Sequence, residues 1–246
     1  MQTQYLIIGQ GIAGTLLSYA LWKQGISFVV IDEPHGPPKA SVVAGALINP
    51  VNVNRCTMVA DHQHYIAAAL ETYRSMEETL GISLLEAMQM FVFHKDETKR
   101  QLYNEKQLQL PAYIQQLTNA EITLTQQFFR NKYGIAKVGP VWKIHATQLL
   151  SAWSSFLKNK GLLLQEQFNI AECGIRPESV QYKTISAGKI IFCEGAAGMH
   201  NSFFKNLPFT KNRGEALLLS VPDLPAEYVY HYSIRLVPAA EGLFWC

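Results

Sequence analysis

Three glycines near the N-terminus, Gly9, Gly11 and Gly14, are the residues whose spacing bears most directly on chemistry. Together with Gln10, Ile12 and Ala13 they spell G-x-G-x-x-G, a turn that lets bare main-chain amides approach a pyrophosphate. Gly9 permits the tight turn, Gly11 presents no side chain to the phosphates, and Gly14 lets the following helix pack closely on a sheet. Asp32 and Glu33 lie about twenty residues further on, where an acid accepts hydrogen bonds from ribose hydroxyls. An acid at that place fits an unphosphorylated ribose, as in FAD or NAD, better than NADP. The chemistry specified is dinucleotide binding.

Such a turn works only if the elements around it aim it. Residues 5–8, Tyr-Leu-Ile-Ile, form a short apolar run suited to a buried parallel strand. Residues 13–23 read as a helix whose N-terminal N–H groups and positive dipole end face the phosphates. Gly25 ends it, and Phe-Val-Val-Ile at 28–31 is a second buried strand that delivers Asp32. A glycine-rich turn in some other α/β protein is the plain alternative, but the whole βαβ unit matches the nucleotide-binding template.

Composition narrows the class. The 246 residues suffice for one large or two modest domains, and 48% apolar with 16% charged residues is a globular balance. A net charge of +2 does not suggest nucleic acid or an anionic membrane as partner. No apolar run is long enough for a transmembrane helix. The start, Met1-Gln2-Thr3-Gln4, lacks the basic stretch of a cleaved signal peptide. Cys56, Cys173, Cys193 and Cys246 form no C-x-x-C pair, so neither a metal site nor a redox dithiol is expected. Reduced, buried thiols and a cytoplasmic location are the expectation.

Further along, residues 34–39 are a turn-rich loop, and 40–50 are small, apolar and nearly uncharged. Such a stretch can lie against a planar ligand with its N–H groups free, or be a plain buried loop. Helical spacing predicts helices over 64–80, 96–110 and 146–160, while 122–129 is open between types. Strands are predicted within 84–94 and 133–144, the latter punctuated by Gly139-Pro140, and over 162–168, 179–184 and 189–193. Gly195-Ala196 then open a glycine-rich turn at a strand's C-terminal end, where α/β sheets place ligands. Residues 217–221 and 233–238 read as strands, 239–242 as a hairpin turn, and 243–246 as the start of another strand.

These motifs in this order resemble the FAD-dependent D-amino-acid oxidase superfamily, especially its glycine oxidase and sarcosine oxidase-like branch. The resemblance rests on Gly9-x-Gly11-x-x-Gly14, Asp32, the 41–50 loop, the 73–81 helix end, the 142–161 segment, the Cys193-to-Ala196 turn, Arg213-Gly214-Glu215 and the late hairpin at Val237-Pro238. It implies an α/β architecture: a Rossmann-like FAD-binding domain over 1–80 and 140–208, interleaved with an antiparallel-sheet substrate domain over 81–139 and 209–246. It implies non-covalent FAD, with Gly9, Gly11, Ile12, Ala13 and Gly14 on the pyrophosphate and Asp32, with Glu33 beside it, at the adenosine ribose. Ser41, Ala44, Gly45, Ala46 and Leu47 would line the pyrophosphate and isoalloxazine. Phe168 would meet the adenine through its backbone, and Gly195 and Ala196 would flank the cofactor. The family's loop carries its glycine one position after Gly45. The family also continues past a hairpin like the last one here, so truncation relative to that architecture is expected.

The resemblance implies hydride removal from a carbon bearing an amine, delivered to flavin N5, with oxygen or another acceptor. A small amine or amino acid is the expected substrate, and a cation is needed to orient its carboxylate. Arg55, Arg213 and Arg235 are the candidates, each of which could equally serve a structural ion pair. His62 and His64 follow the loop, and Tyr230 and Tyr232 could line a pocket or pack on the sheet. A non-catalytic flavin-binding or remnant protein is the competing reading. An NAD-dependent dehydrogenase fits less well, since it leaves the 41–50 loop without a task.

Overall fold

The computed structural model describes residues 1–33, 40–210, 212, 214–239 and 242–246. The expected loop at 34–39, Arg213 and the middle of the 239–242 turn lie outside the described residues. The chain forms β1 (Gln2–Ile8), α1 (Ile12–Lys23), β2 (Phe28–Ile31), the single turn α2 (Ala40–Val43), β3 (Leu47–Ile48), β4 (Val51–Asn52) and β5 (Thr57–Met58). There follow α3 (His62–Leu80), β6 (Leu85–Phe93), α4 (Glu97–Gln109), β7 (Ile114–Gln116), α5 (Asn119–Phe128), β8 (Ile135–Ile144) and α6 (Ala146–Asn159). Strands β9 (Leu163–Leu164), β10 (Cys173–Arg176), β11 (Ser179–Tyr182) and β12 (Ile185–Phe192) precede a 3-10 segment, Gly195–His200. The last strands are β13 (Leu218–Ser220), β14 (Tyr228–His231), β15 (Arg235–Pro238) and β16 (Leu243–Trp245). They divide into two compact units.

The first unit comprises Met1–Ala44, Met76–Leu84 and His145–Gly214. Its sheet runs β10-β11-β12-β1-β2-β9, with β12, β1, β2 and β9 parallel and β10-β11-β12 antiparallel. Leu6, Ile7, Val30 and Ile31 are sealed from solvent, which is why β1 and β2 read as unbroken apolar runs. Leu6, Ile8, Val29 and Ile31 share one core with Val180, Tyr182, Ile185 and Ala187. Each such side chain contributes roughly 1.5–3 kcal/mol by leaving water. Helix α6 packs on α1 through Trp153, whose ring lies 5.4 Å from Tyr19 and 4.7 Å from Phe156. Trp153 Nε1 donates to Ser18 Oγ at 2.8 Å, so the buried indole N–H and hydroxyl satisfy each other.

The second unit comprises Gly45–Ser75, Leu85–Ile144 and Glu215–Cys246. Its sheet runs β13-β16-β15-β14-β6-β8-β3, with β7 also on β8. Every pairing is antiparallel except β14 on β6, which is parallel. Alternation splits β6 between two cores. Met88, Met90 and Val92 join Val229, Val237, Val138 and Tyr103, while Phe91 and Phe93 join Tyr230, Leu236 and Phe244.

Four features differ from the sequence reading. Residues 45–75 belong to the second unit, not with the βαβ segment, because Leu47 and Ile48 pair with Lys143 and Trp142 while Val51, Val53 and Cys56 enter the second core. Segment 122–129 is helical: Thr118 Oγ1 accepts from the Glu121 N–H, and the Glu121 carboxylate accepts from the Thr118 N–H at 2.7 Å. Strand β8 continues through Gly139-Pro140 opposite a bulge in β6, and a Cβ on Gly139 would stand 2.1 Å from Gln89 Oε1. Residues 162–168 supply only the two-residue β9, and β14 carries no expectation from sequence.

Candidate functional site

Strand β1 hands over to the glycine turn at Ile8. Gly9 has φ +97°, a conformation that a side chain disfavours, and a Cβ there would stand 2.5 Å from the Cys193 carbonyl oxygen. A Cβ on Gly14 would stand 1.9 Å from the Gly9 oxygen. The turn is therefore folded back on itself and pressed against the end of β12, whose Cys193 N–H donates to Ile8 O at 2.7 Å. Gly11 is the N-cap of α1 and, having no side chain, makes no cap hydrogen bond of its own. Ser41 Oγ accepts from the Ile12 N–H at 3.1 Å. Among the described residues, no hydrogen bond engages the N–H of Ala13 or Gly14. A helix N-terminus with free amides, here those of Ala13 and Gly14 next to the Ser41 hydroxyl, is a cradle for an anion.

The acid stands at the rim of the same turn. Asp32 Oδ1 accepts from the Gln10 main-chain N–H at 2.8 Å, which ties the end of β2 to the phosphate loop. Asp32 is half-buried and Glu33 exposed. The Gln10 side chain is buried, and its amide donates to Thr15 Oγ1 and Leu150 O, anchoring the turn to α1 and α6. Beyond Cys193, Gly195 has φ +57°, and Gly195 and Ala196 are exposed. The Glu194 carboxylate accepts from Asn201 Nδ2 at 2.7 Å and steadies this segment. Phe168 packs its ring on Tyr182 and Phe192, while its main-chain N–H and C=O have no partner among the described residues. The first unit thus brings together Gly9 to Gly14, Asp32, Ser41 and the start of the Gly195 turn. Bare amides for a diphosphate and a carboxylate for a ribose are the donor set that the adenosine half of FAD requires.

Ala44 ends the α2 turn, its N–H donating to Ala40 O at 3.0 Å. In the second unit, Gly45 lies under the Trp245 ring, with Cε3 and Cζ3 both 2.8 Å from where a Cβ would be. Ala46 adopts φ +42°, and its carbonyl accepts from the Ile144 N–H at 2.8 Å. The loop's left-handed position is therefore 46, one after Gly45, and alanine occupies it. Leu47 pairs with Lys143.

The basic candidates separate clearly. Arg55 is exposed in a turn where its N–H donates to Asn52 Oδ1. Arg213 lies outside the described residues. Arg235 is half-buried, and its Nε is enclosed with no hydrogen-bond partner. His62 Nδ1 lies 3.1 Å from Val59 O and its Nε2 3.1 Å from the Tyr113 hydroxyl, so the ring donates to the carbonyl and accepts from the phenol. His64 and Tyr232 are exposed. Tyr230 is buried among Phe91, Phe129 and Phe244, its hydroxyl donating to Pro225 O. Two residues that the sequence reading passes over are His94 and His231, each with an enclosed, unpartnered Nδ1. Burial, with Lys99 and Arg100 nearby, pushes His94 down to about 4. Burial, with Arg235 and Lys99, pushes His231 down to about 4. Reading β14 as a strand would have placed His231 on an inner face.

Solved structures with the same fold include L-amino acid deaminase from Proteus vulgaris, at 14% identity and TM-score 0.72, matched over 99% of this chain and 60% of that one. Glycine oxidase from Geobacillus kaustophilus matches at 12% identity and TM-score 0.73, over 99% of this chain and 70% of that one. Glycine oxidase from Bacillus cereus matches at 15% identity and TM-score 0.73, with the same coverages. The chain thus spans three-fifths to seven-tenths of the length of these neighbours. The family model described as FAD dependent oxidoreductase, DAO, matches residues 4–244. With a glycine cradle, an acid at its rim and a match over nearly its whole length, the chain belongs to the DAO family of FAD dependent oxidoreductases, whose cofactor is FAD.

Proposed function

We propose that the protein oxidises a C–N bond of a small amine or amino acid. FAD, when bound, supplies the acceptor, its N5 taking the hydride from the carbon beside the nitrogen. The chain's own residues bind and orient. Gly9, Gly11, Ile12, Ala13 and Gly14 form the turn that would hold the pyrophosphate, with the free amides of Ala13 and Gly14 and the positive end of α1 offered to it. Asp32, with Glu33 beside it, accepts from the ribose hydroxyls, and Phe168 offers its free main-chain groups to the adenine. Ser41, Ala44, Gly45, Ala46, Leu47, Gly195 and Ala196 line the remainder of the cofactor. Arg235 orients the substrate carboxylate, because its guanidinium is the enclosed one of the two described candidates.

The start of α1, with the free amides of Ala13 and Gly14 in a turn tied to Asp32 through the Gln10 N–H, carries this reading. Purified protein should show a flavin absorbance band that bleaches on anaerobic addition of glycine, sarcosine or a D-amino acid. A colourless chain that cannot be reconstituted with FAD would overturn the assignment of these residues. A band that no amine bleaches would favour a flavin-binding protein without this turnover.

A further inference from the structure

One inner face of the second unit's sheet carries three enclosed nitrogens that have no hydrogen-bond partner among the described residues: His94 Nδ1, His231 Nδ1 and Arg235 Nε. The register brings them to one end of three adjoining strands. His231 pairs with Arg235 across β14 and β15, and with Val92 across β14 and β6, and His94 lies two residues beyond Val92. Alternation puts all three on the side of Val92, Val229 and Val237. Helix α4 covers that side, with Tyr103 in the same core and its ring 4.9 Å from His94. His94 is only 3% exposed. Lys99, from the first turn of α4, acts electrostatically on both histidines. Among the described residues, no carboxylate acts on His231 or Arg235, and Asp96 alone opposes the cations around His94.

Each enclosed polar atom left unpaired is destabilising, and three on one face is a cost that a ligand would remove. Two cationic side chains, Arg235 and Lys99, with two imidazole rings and, among the described residues, almost no opposing acid, match a small molecule bearing two carboxylates. We infer that His94, His231, Arg235 and Lys99 form a binding site for a small dicarboxylate. As a statement of substrate class, an amino acid with a second acidic group, this rests on the oxidoreductase reading; as a binding site it does not.

Calorimetric titration of the purified chain with malonate and iminodiacetate, against acetate, glycine and inorganic phosphate, tests it. Both dicarboxylates should bind at least tenfold tighter than acetate or glycine. Arg235→Met should abolish that preference. His231→Asn, which keeps a donor near the Nδ1 position, should retain most of it and guards against a folding defect in the first variant. Equal binding of acetate and malonate, tighter binding of phosphate, or an unchanged Arg235→Met would overturn the site. Bleaching of the flavin by glycine without dicarboxylate binding would remove this site and leave the oxidoreductase reading. Dicarboxylate binding with no bleaching by any amine, acidic ones included, would do the reverse.

Discussion

At the scale of single residues, the glycines do different physical work. Gly9 is needed both for its φ of +97° and for the approach of the Cys193 carbonyl, whereas Gly14 is needed because Gly9 O occupies the space of a Cβ. Gly14→Ala should therefore destabilise the protein by several kcal/mol, read as a large fall in the thermal midpoint of the flavin-free chain. An unchanged midpoint would show that the turn has room that this geometry lacks. The loop at 45–46 predicts an opposed pair. Ala46→Gly should stabilise by about 1 kcal/mol, because φ +42° then costs nothing. Gly45→Ala should destabilise by about 1–3 kcal/mol by pushing on the Trp245 ring. Urea unfolding of the two variants should move in opposite directions, and the same sign for both would refute the explanation.

At the scale of elements, helices are positioned by their ends as much as by their faces. The N-cap of helix α1 is a glycine and Ser41 engages only the Ile12 N–H, which leaves the amides of Ala13 and Gly14 for a phosphate. Helix α5 has the opposite arrangement, a capping box between Thr118 and Glu121. Glu121 also pairs with Lys137 on β8, Nζ to Oε1 at 2.9 Å, so the cap fastens α5 to the sheet. Thr118→Ala should cost about 1 kcal/mol and speed amide exchange at the start of α5 without touching the first unit. The Thr118-x-x-Glu121 signal is present in the sequence, yet the apolar spacing over 122–129 is too weak by itself to separate helix from strand. By contrast β1 and β2 are legible as unbroken apolar runs, and α3, α4 and α6 by the helical spacing of their residues.

At the scale of the whole molecule, acid stability should be governed by buried histidines. His94 and His231 are both held down to about 4, against an ordinary 6.5, so the folded chain keeps them neutral where the unfolded chain is protonated. The unfolded state then binds more protons between those values, and stability is lost as pH falls from about 6.5 to 4. For the nearly solvent-free His94 alone the loss should be on the order of 1–3 kcal/mol. The urea midpoint should fall between pH 7 and pH 5, and the fall should shrink in His94→Phe. An identical fall in that variant would exclude His94 as its source. The sequence by itself determined the βαβ unit, the glycine cradle and Asp32. Those depend on residues close in the chain, whose spacing dictates main-chain conformation directly. Only the tertiary structure decided that residues 45–75 join the second unit, that position 46 is the left-handed one, and that His94, His231 and Arg235 share a face. Those outcomes depend on strand pairing between segments up to about 140 residues apart, and no local period records which strands will meet.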